Sequence, residues 1–533
     1  CFAATAVAGC SGSDGVASPG EGVFVPSPPA APPVSPPVSP PVGPPVSPPV
    51  GPAASCPTGF TNVGLVTAAN AAVGAAGSYR NCQLPSLITT ALLVPKTDGV
   101  VYSFSGRVNV GEDLGFDPAA PIGGRTAGSL SIEPGVVLFG SGTLDYIVVN
   151  RGSQINAVGT AASPIVFTSR QSVEGSTNTN SIGQWGGLVI LGRSPATDGC
   201  PLVSPPTTPA SNVPPRNANG SVNTSVLCEA LVEGTAALYG GRTETDNSGR
   251  LSYVRVQHSG FEVLPNQELN GITMAGVGNG TVVDHVQVHN SSDDGIELFG
   301  GTVNLSHIVL TGNDDDSYDL DSGYRGGTQF LLVVQRPDGG DRVFEFSSRN
   351  AKGVPAGTPA TFPANTIPRI ANATLVGRTS TVNVQELNSG NGLRLINSVA
   401  TRSGGTGACL DMDDLDTTTA APTWNSVFMS CATAFAADGN QQTETATAFN
   451  AGTNNTSAGT STLTAIATGA VPFVNGANET AVTANTTITT GNATTNPLYN
   501  AVFVSAPYIG AVQSGDTWYR GWTCSALIGE EAC

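Results

Sequence analysis

Short hydrophobic runs alternate along most of the chain with clusters of Gly, Asn, Asp and Ser. Runs such as PIVFTS and LSYVRVQHSG contain the β-branched and aromatic residues that favour strands. Few segments keep a 3.6-residue apolar period over ten or more positions, and no helices are predicted between the strands. The pattern therefore predicts an all-β protein of short strands and tight turns, and it argues against a doubly wound α/β sheet.

An internal repeat gives the period of these strands. The segment HVQVHNSSDDGIELFGG, from His285 to Gly301, is followed after 22 residues by HIVLTGNDDDSYDLDSG, from His307 to Gly323, without a gap. A repeat of this length is typical of a solenoid, and it suffices for one coil of a parallel β-helix. Each coil must stack on its neighbours to bury its apolar residues. The repeat predicts two inward ladders: Ile272, Ile296 and Tyr318 in one, and Met274, Leu298 and Leu320 in the other.

Composition divides the chain into five segments. Residues 1–23 are expected to be a signal remnant and anchor, and residues 24–55 a Pro-rich polyproline II linker. Residues 56–95 are expected to form an N-terminal cap, and residues 96–440 the parallel β-helix, with roughly fifteen coils at this period. Residues 441–533 are expected to be a β-rich region and C-terminal cap.

The N-terminal segment suggests how the protein is anchored. Its Ala-rich run ends in VAGC at Cys10, which looks like a bacterial lipobox with Cys10 as the lipidated residue. An ordinary secretory signal, or lipidation at Cys1, remains an alternative. The PPVSPP repeats that follow would form a spacer of roughly 90 Å. We therefore expect a membrane-anchored protein of the bacterial cell envelope, either an outer-membrane lipoprotein or a protein exposed at the cell surface.

Charge limits the possible partners. The formal net charge is −18, and only 11% of the residues are charged. Nucleic acid is excluded as a partner because phosphate binding needs a basic face. The excess of carboxylates favours a cation as partner.

Cysteine spacing predicts disulfides and an oxidising compartment. Eight cysteines fall into sequence-local pairs, and metal binding is the alternative reading. The pairs are Cys56 with Cys82, Cys200 with Cys228, Cys409 with Cys431, and Cys524 with Cys533.

The repeat also stacks acidic residues. Asp294 falls over Asp316 in adjacent coils, which lie about 4.8 Å apart, and such close carboxylates do not all ionise readily. A Ca²⁺ ion, which prefers oxygen ligands, would relieve this repulsion. The alternatives are hydrogen bonds from turn amides, or catalysis by Asp294 and Asp316 with Arg325 as a base. The predicted metal ligands are Asp293, Asp294, Asp314, Asp315, Asp316 and Asp319.

Histidines and aromatic residues give weaker signals. The histidines His258, His285, His289 and His307 all lie near the acidic repeat, and polar stacking is favoured over a zinc site. Trp185 is expected to be packed rather than to face carbohydrate. The aromatic patch of Trp518, Tyr519 and Trp522 is expected to cap the last coil rather than to stack on sugars.

Several motifs carry a resemblance to a known family. LSIEPGVVLFG, GQWGGLVILGRSP, YGGRTETDNSGRLSYVRVQHSG and DTWYRGWTC occur in this order, and the chain resembles bacterial surface or lipoprotein right-handed β-helix proteins with a pectate-lyase-like fold. The resemblance implies a right-handed parallel β-helix and a cell-envelope location. It implies little about activity, because a shared fold does not transfer function.

Two functions follow as expectations. The first is a Ca²⁺-stabilised scaffold for binding, display or adhesion at the cell surface, with a polysaccharide, an envelope protein or a second copy as partner. The second is a carbohydrate-active enzyme, either a polysaccharide lyase or an inverting glycoside hydrolase, that uses the stacked acids.

Overall fold

The computed structural model describes residues 51–201, 213–264, 267–348, 365–437, 441–490 and 500–533. All of them belong to the compact unit Ser47–Cys533. The signal remnant with Cys1 and Cys10, and the Pro-rich linker up to residue 50, lie outside the described residues.

Strands dominate the described residues. In chain order they are β1 Thr61–Ala68, β2 Gly77–Gln83, β3 Leu87–Ile88, β4 Ala91–Val94, β5 Val100–Phe104, β6 Arg107–Val110, β7 Ser129–Ile132, β8 Val137–Gly140, β9 Tyr146–Val149, β10 Gln154–Val158, β11 Ile165–Ser169, β12 Gly187–Leu191, β13 Ala230–Leu231, β14 Leu238–Tyr239, β15 Gly249–Gln257, β16 Phe261–Leu264, β17 Gln267–Leu269, β18 Ile272–Ala275, β19 Val282–His289, β20 Ile296–Phe299, β21 Asn304–Thr311, β22 Tyr318–Asp321, β23 Gly327–Val334, β24 Phe344–Phe346, β25 Arg369–Gly377, β26 Gln385–Leu387, β27 Arg394–Arg402, β28 Ala408–Met412, β29 Thr423–Ser430 and β30 Thr433–Phe435.

Helices are few and short. They are α1 Arg170–Val173, α2 Leu415–Ala420, α3 Gln442–Ala451 and α4 Ala477–Thr480, with 3₁₀ turns at Thr487–Thr489 and Ala526–Ile528. None of the described helices has the length and apolar character needed to cross a membrane.

Two long sheets form a right-handed parallel β-helix, as predicted. The first sheet has 15 strands and contains β2, β5, β8, β11 and the long strands from β15 to β29. The second sheet has 11 strands in the order β3-β6-β9-β12-β18-β20-β22-β24-β26-β28-β30. Each coil gives one strand to the second sheet. Ten of its 11 strands, β6 to β30, lie within residues 96–440, so the described part of that range contains ten coils rather than roughly fifteen. The coils are fewer because the chain between β12 and β15 forms an inserted hairpin, β13–β14, instead of further coils.

The predicted inward ladders are present in the second sheet. Ile272 pairs with Ile296, which pairs with Tyr318, and Leu298 lies between Met274 and Leu320 in the same strands. All six side chains are fully buried in one apolar core. The alternation of inward apolar and outward polar residues therefore fixes the register from coil to coil.

The first sheet turns a corner at one residue in each of seven long strands. These residues have φ between 49° and 59°, a left-handed conformation that Asn and His adopt more readily than most residues. They align in register as one corner column: Tyr253, His285, His307, Phe330, Asn372, Asn397 and Ser426. Each long strand can therefore bend from one face of the coil to the next without an intervening loop.

The first coil begins inside the predicted N-terminal cap. Strands β2, β3 and β4 already pair in parallel with β5, β6 and β7. Strand β1 pairs antiparallel with β2 and closes this end of the first sheet. The boundary predicted at residue 96 is therefore too late, because apolar runs before it are long enough to pair.

The C-terminal region is not β-rich, which corrects the prediction for residues 441–533. After β30 the described residues form helices, turns and isolated bridges, and α3 packs on the last coil against β28, β29 and β30. The tail then lies on the outer face of the first sheet, where the Ala511 amide donates to Thr374 Oγ1 across 2.8 Å. The tail bonds to side chains of the sheet, so its sequence needs no strand pattern.

All four predicted disulfides are present. They join Cys56 to Cys82, Cys200 to Cys228, Cys409 to Cys431, and Cys524 to Cys533. Each closes a local segment, as the spacing predicted.

Candidate functional site

The second sheet presents a column of carboxylates on its outer face. Ile296 and Leu298 point inward, so Glu297 between them points outward. Strand register extends this column, which we call the sheet column, through five coils: Glu297, Asp319, Glu345, Glu386 and Asp411. Adjacent members are one strand spacing apart, about 4.8 Å at Cα.

A second set of acids occupies the turns that precede β20 and β22. The Asp316 amide donates to Asp294 Oδ1 across 3.0 Å, and the Arg342 amide donates to Asp316 Oδ1 across 2.7 Å. Asp293 and Asp315 lie one residue earlier in the same turns. One side-chain oxygen of Asp294 and one of Asp316 therefore accept a hydrogen bond from the turn of the next coil, as the hydrogen-bonding alternative expected. The second oxygen of each carboxylate is left for other partners.

Arg342 neutralises Glu345 and Glu386, which we call the upper part of the sheet column. Its guanidinium contacts Asp341 and Glu386 and lies 3.6 Å from Glu345. Burial opposes its charge, but the hydrogen bond to Glu386 and the Glu345 carboxylate raise the pKa of Arg342 above its ordinary value. Asp294, Asp316 and Arg342 occupy equivalent positions in three successive coils. In the third coil a permanent positive charge therefore takes the place of a further acid.

The lower part of the column, Glu297 and Asp319, and the neighbouring turn acid Asp294 have no such cation among the described residues. Within the described ranges, no Arg, Lys or His forms an ion pair with Asp294, Glu297 or Asp319. Burial, followed by neighbouring carboxylates, raises the pKa of each of these three side chains well above its ordinary value. Asn270 Nδ2 donates to Glu297 Oε2 across 2.5 Å, whereas Asp319 Oδ1 is buried without a hydrogen-bond partner among the described residues.

These acids have the donor atoms that a hard cation requires. In each of three groups, one carboxylate oxygen per residue lies within 4.8 Å of the others. Ca²⁺ takes carboxylate oxygens at about 2.3–2.6 Å, and it would replace protons and remove the repulsion. The groups are Asp293–Asp294–Asp315, Asp294–Glu297–Asp319 and Asp315–Asp316–Asp341.

A cavity of about 520 Å³ adjoins the lower part of the column. The hairpins β13–β14 and β16–β17 form its walls, and Phe299, which follows Glu297 on the same outward face, lines it. Glu233 also lines the cavity, and its charge contributes to the raised pKa of Glu297. The exposed side chains of Leu231 and Leu264 add apolar surface at the same place.

Two predicted site residues lie apart from this cluster. Asp314 turns to Arg336, with which it forms an ion pair. Arg325 follows the far end of β22, where Arg325 Nε donates to the Asn365 carbonyl across 3.2 Å. Burial and the charges of Arg216 and Arg369 lower the pKa of Arg325 to about 9, but its described contacts are not with Asp294 or Asp316.

The histidines His285 and His307 stack as the repeat predicted. Their ring centroids are 4.3 Å apart in the corner column, and each Nδ1 bonds to an oxygen of Asp284, at 2.8 and 3.1 Å. His258 and His289 form a separate edge-to-face pair with centroids 5.8 Å apart. The four histidines therefore do not meet at one metal centre.

The aromatic residues are packed, but not at the last coil. Trp518 and Trp522 meet the corner column edge-on, at 5.2 Å from His307 and 5.6 Å from His285, and Tyr519 is fully buried beside them. This corrects the prediction that they cap the last coil, which α3 covers instead. Trp185 is buried in the main core, as predicted.

Sequence reasoning missed the upper half of the site. Arg342, Asp341, Glu345 and Glu386 were not predicted, because the coil after Asp319 is longer and Tyr318 pairs with Phe344 rather than with a residue at the 22-residue offset. An alignment allowing insertions in the turns would have detected the acid that directly follows each of the inward residues Ile296, Tyr318 and Phe344.

A comparison with family models identifies the fold family. The model described as a pectate-lyase-like β-helix domain matches residues 119–523, about three quarters of the chain. The chain belongs to this family. Searches of curated proteins and of solved structures each found no match.

The matched part of the β-helix domain contains every acid of the sheet column. It also contains the hairpins that form the adjoining cavity and most of the C-terminal tail. The carboxylates and their cavity are therefore parts of the β-helix domain rather than additions to it.

Proposed function

We propose that this β-helix domain is a binding protein of the bacterial cell envelope. It holds Ca²⁺ between neighbouring coils and presents the outer face of its second sheet to an extended polysaccharide. Regularly spaced polar side chains on stacked coils suit a polymer with a repeating unit. An envelope protein or a second copy of the chain is the alternative partner for the same face.

One observation carries this proposal: the acids Glu297 and Asp319 lack a compensating cation among the described residues, and Glu233 and Phe299 near Glu297 line a cavity. Arg342 compensates the upper acids from within the chain, so an external cation is needed only below it. We expect a cation bound at that point to direct its remaining ligand positions toward the cavity. Polysaccharide hydroxyl or carboxylate oxygens are suitable ligands for those positions.

Two features support an extracytoplasmic location. Four disulfides are typical of an oxidising compartment. The lipobox-like sequence at Cys10 and the Pro-rich linker would anchor the domain and hold it clear of the membrane. We therefore propose a lipid-anchored protein that faces away from the cytoplasm.

We favour binding over catalysis because neither of two arginines, Arg342 and Arg325, suits these acids as a base. The raised pKa of Arg342 makes it a poor proton acceptor, and Arg325 lies elsewhere. One observation favours the second candidate, a polysaccharide lyase or an inverting glycoside hydrolase. The raised pKa of Glu297 would keep it protonated as a general acid beside the cavity, with another carboxylate of the column as base.

The test is a glycan array probed with the full chain in Ca²⁺ and in chelator. We expect binding to acidic or neutral polysaccharides that requires Ca²⁺ and is lost in the double variant Glu297→Gln with Asp319→Asn. Glu174→Gln, which changes an exposed acid that directly follows α1, is the matched control and should bind normally. Depolymerisation of any bound polysaccharide would favour the enzyme, and binding unaffected by chelator would contradict the proposed cation.

A further inference from the structure

The N-terminal end of the β-helix has three strand edges that no other described strand covers. Strand β1 pairs only with β2, β3 only with β6, and β4 only with β7. Such an edge presents a row of backbone N–H and C=O groups that can pair with a further strand. The opposite end differs, because α3 packs on the last coil and Phe428 of β29 forms a parallel bridge with Thr456.

The strands at the N-terminal end also expose large apolar side chains. Val63 and Leu65 in β1, Leu87 in β3 and Leu93 in β4 are between 45% and 51% exposed. The core itself is covered at this end, because Phe60 packs against it. These four side chains are therefore not needed to close the core, whereas the terminal unit of a solenoid normally presents a polar outer surface.

Strand β1 is an uncharged surface in an acidic protein. Its sequence TNVGLVTA has no charged side chain, and neither has any other described residue before Arg80. Arg80 turns to its own chain, where its Nε donates to the Ala53 carbonyl across 3.0 Å. The formal net charge of −18 opposes the association of two copies over most of their surface. Two copies can approach at β1 without bringing acids together.

The Pro-rich linker is unsuited to cover the edge of β1. Proline has no backbone N–H, so the PPVSPP repeats of residues 24–50 cannot form a continuous ladder with a strand. The β1 strand of a second copy has both donors and acceptors. Two identical edges can pair in antiparallel fashion about a twofold axis, and this contact closes at two copies.

We propose that two copies of this chain associate through their N-terminal ends, with β1 of one copy paired antiparallel to β1 of the other. The register of β1 with β2 is interrupted between Asn62 and Leu65 and is regular from Leu65 to Ala68, so the regular part makes the pairing. Leu87 and Leu93 flank the contact. This inference goes beyond the proposed function, since it requires neither Ca²⁺ nor a polysaccharide and uses a different surface.

Analytical ultracentrifugation tests the proposal on the full chain with Cys10→Ser, which removes the expected lipid as a cause of association. We expect a dimer whose fraction rises with protein concentration, in chelator as well as in Ca²⁺. Leu65→Lys adds two positive charges to one interface and should raise the dissociation constant of the dimer by about tenfold or more. Leu264→Lys, at an exposed leucine of β16 beside the cavity, is the matched control and should dimerise normally.

Hydrogen exchange on the same chain shows where the copies meet. The amides of β1 should exchange more slowly at concentrations at which the dimer predominates than in dilute solution. The amides of β29, at the opposite end, should exchange at the same rate in both. This measurement needs no further substitution, so it remains decisive if Leu65→Lys fails to fold.

Three results would overturn the proposal. The first is a monomer at every concentration tested. The second is a dimer that Leu65→Lys leaves as tight as the parent, including one that Leu264→Lys disrupts instead. The third is a dimer in which the exchange of the β1 amides does not depend on concentration.

Discussion

Asp294 of one coil accepts a hydrogen bond from the backbone amide of Asp316 in the next, across 3.0 Å. The same acid therefore holds two coils in register and adds negative charge between them. Its contribution to stability depends on what neutralises that charge.

Calcium should stabilise the fold. A ligand that binds only the folded state adds RT ln(1 + [L]/Kd), about 2.7 kcal/mol at a hundred times Kd. We expect the midpoint of thermal unfolding to rise with Ca²⁺ and to fall with chelator, as measured by calorimetry. Asp294→Ala with Asp316→Ala should abolish the response while keeping the fold. A parent protein that melts identically in Ca²⁺ and in chelator would leave the acids as hydrogen-bonded turns only.

Without a cation, the domain should lose stability as pH rises. The folded pKa of Asp294, Glu297 and Asp319 is raised above the unfolded value, so the folded state binds more protons between the two values. This stability is complete below the unfolded pKa of about 4 and is lost as pH rises through the folded pKa. In chelator, the melting temperature of Glu297→Gln with Asp319→Asn should change less between about pH 5 and pH 8 than that of the parent. Parallel profiles for the two proteins would contradict the raised values.

Removing the internal cation should be costly. Arg342→Gln leaves Asp341, Glu345 and Glu386 without their positive partner, and breaking a largely buried pair costs about 3 kcal/mol. Urea denaturation measures the loss. Adding Glu386→Gln to this variant should recover part of the free energy of unfolding, because one of the stranded charges is then gone. A double variant less stable than Arg342→Gln alone would argue against this electrostatic origin.

One glutamine should control docking of the C-terminal tail. Gln287 accepts from the Cys524 amide at 2.9 Å and donates to the Cys524 carbonyl at 2.5 Å. Gln287→Leu leaves two buried backbone groups unpaired, at about 1–3 kcal/mol. Hydrogen exchange should become faster in residues 510–533 and stay unchanged in β3 and β6. Gln154→Leu, which removes an exposed amide contact, is the control.

Anchoring should depend on Cys10. Cys10→Ser removes the thiol that would carry the lipid, so the protein should be released from membranes or remain unprocessed. Cell fractionation and mass spectrometry of the N-terminus measure this. Normal processing and membrane retention in Cys10→Ser would contradict the lipobox interpretation, and the same variant at Cys1 tests the alternative.

The repeat was enough to predict register, but only where coil length is constant. The 22-residue offset correctly paired Glu297 with Asp319 and Leu298 with Leu320, because inward apolar residues allow only one alignment. It could not predict Arg342, because the next coil is longer and the extra residues lie in a turn. The tail was also beyond prediction, since Trp522 meets His285 and Cys524 bonds to Gln287 through contacts that leave no periodic signal in the sequence.

The corner column has a consequence for how such a protein changes in length. His285 and His307 have the same left-handed backbone conformation, and their rings stack on each other. Successive coils therefore turn this corner of the first sheet with the same backbone geometry. An in-frame duplication of the 22-residue segment would therefore add one rung to the corner column and one carboxylate to the sheet column without disturbing either end. A duplication of any other length would shift both columns out of alignment unless the extra residues lie in a turn. The whole coil is thus the step by which such a chain can grow or shorten while both columns stay aligned.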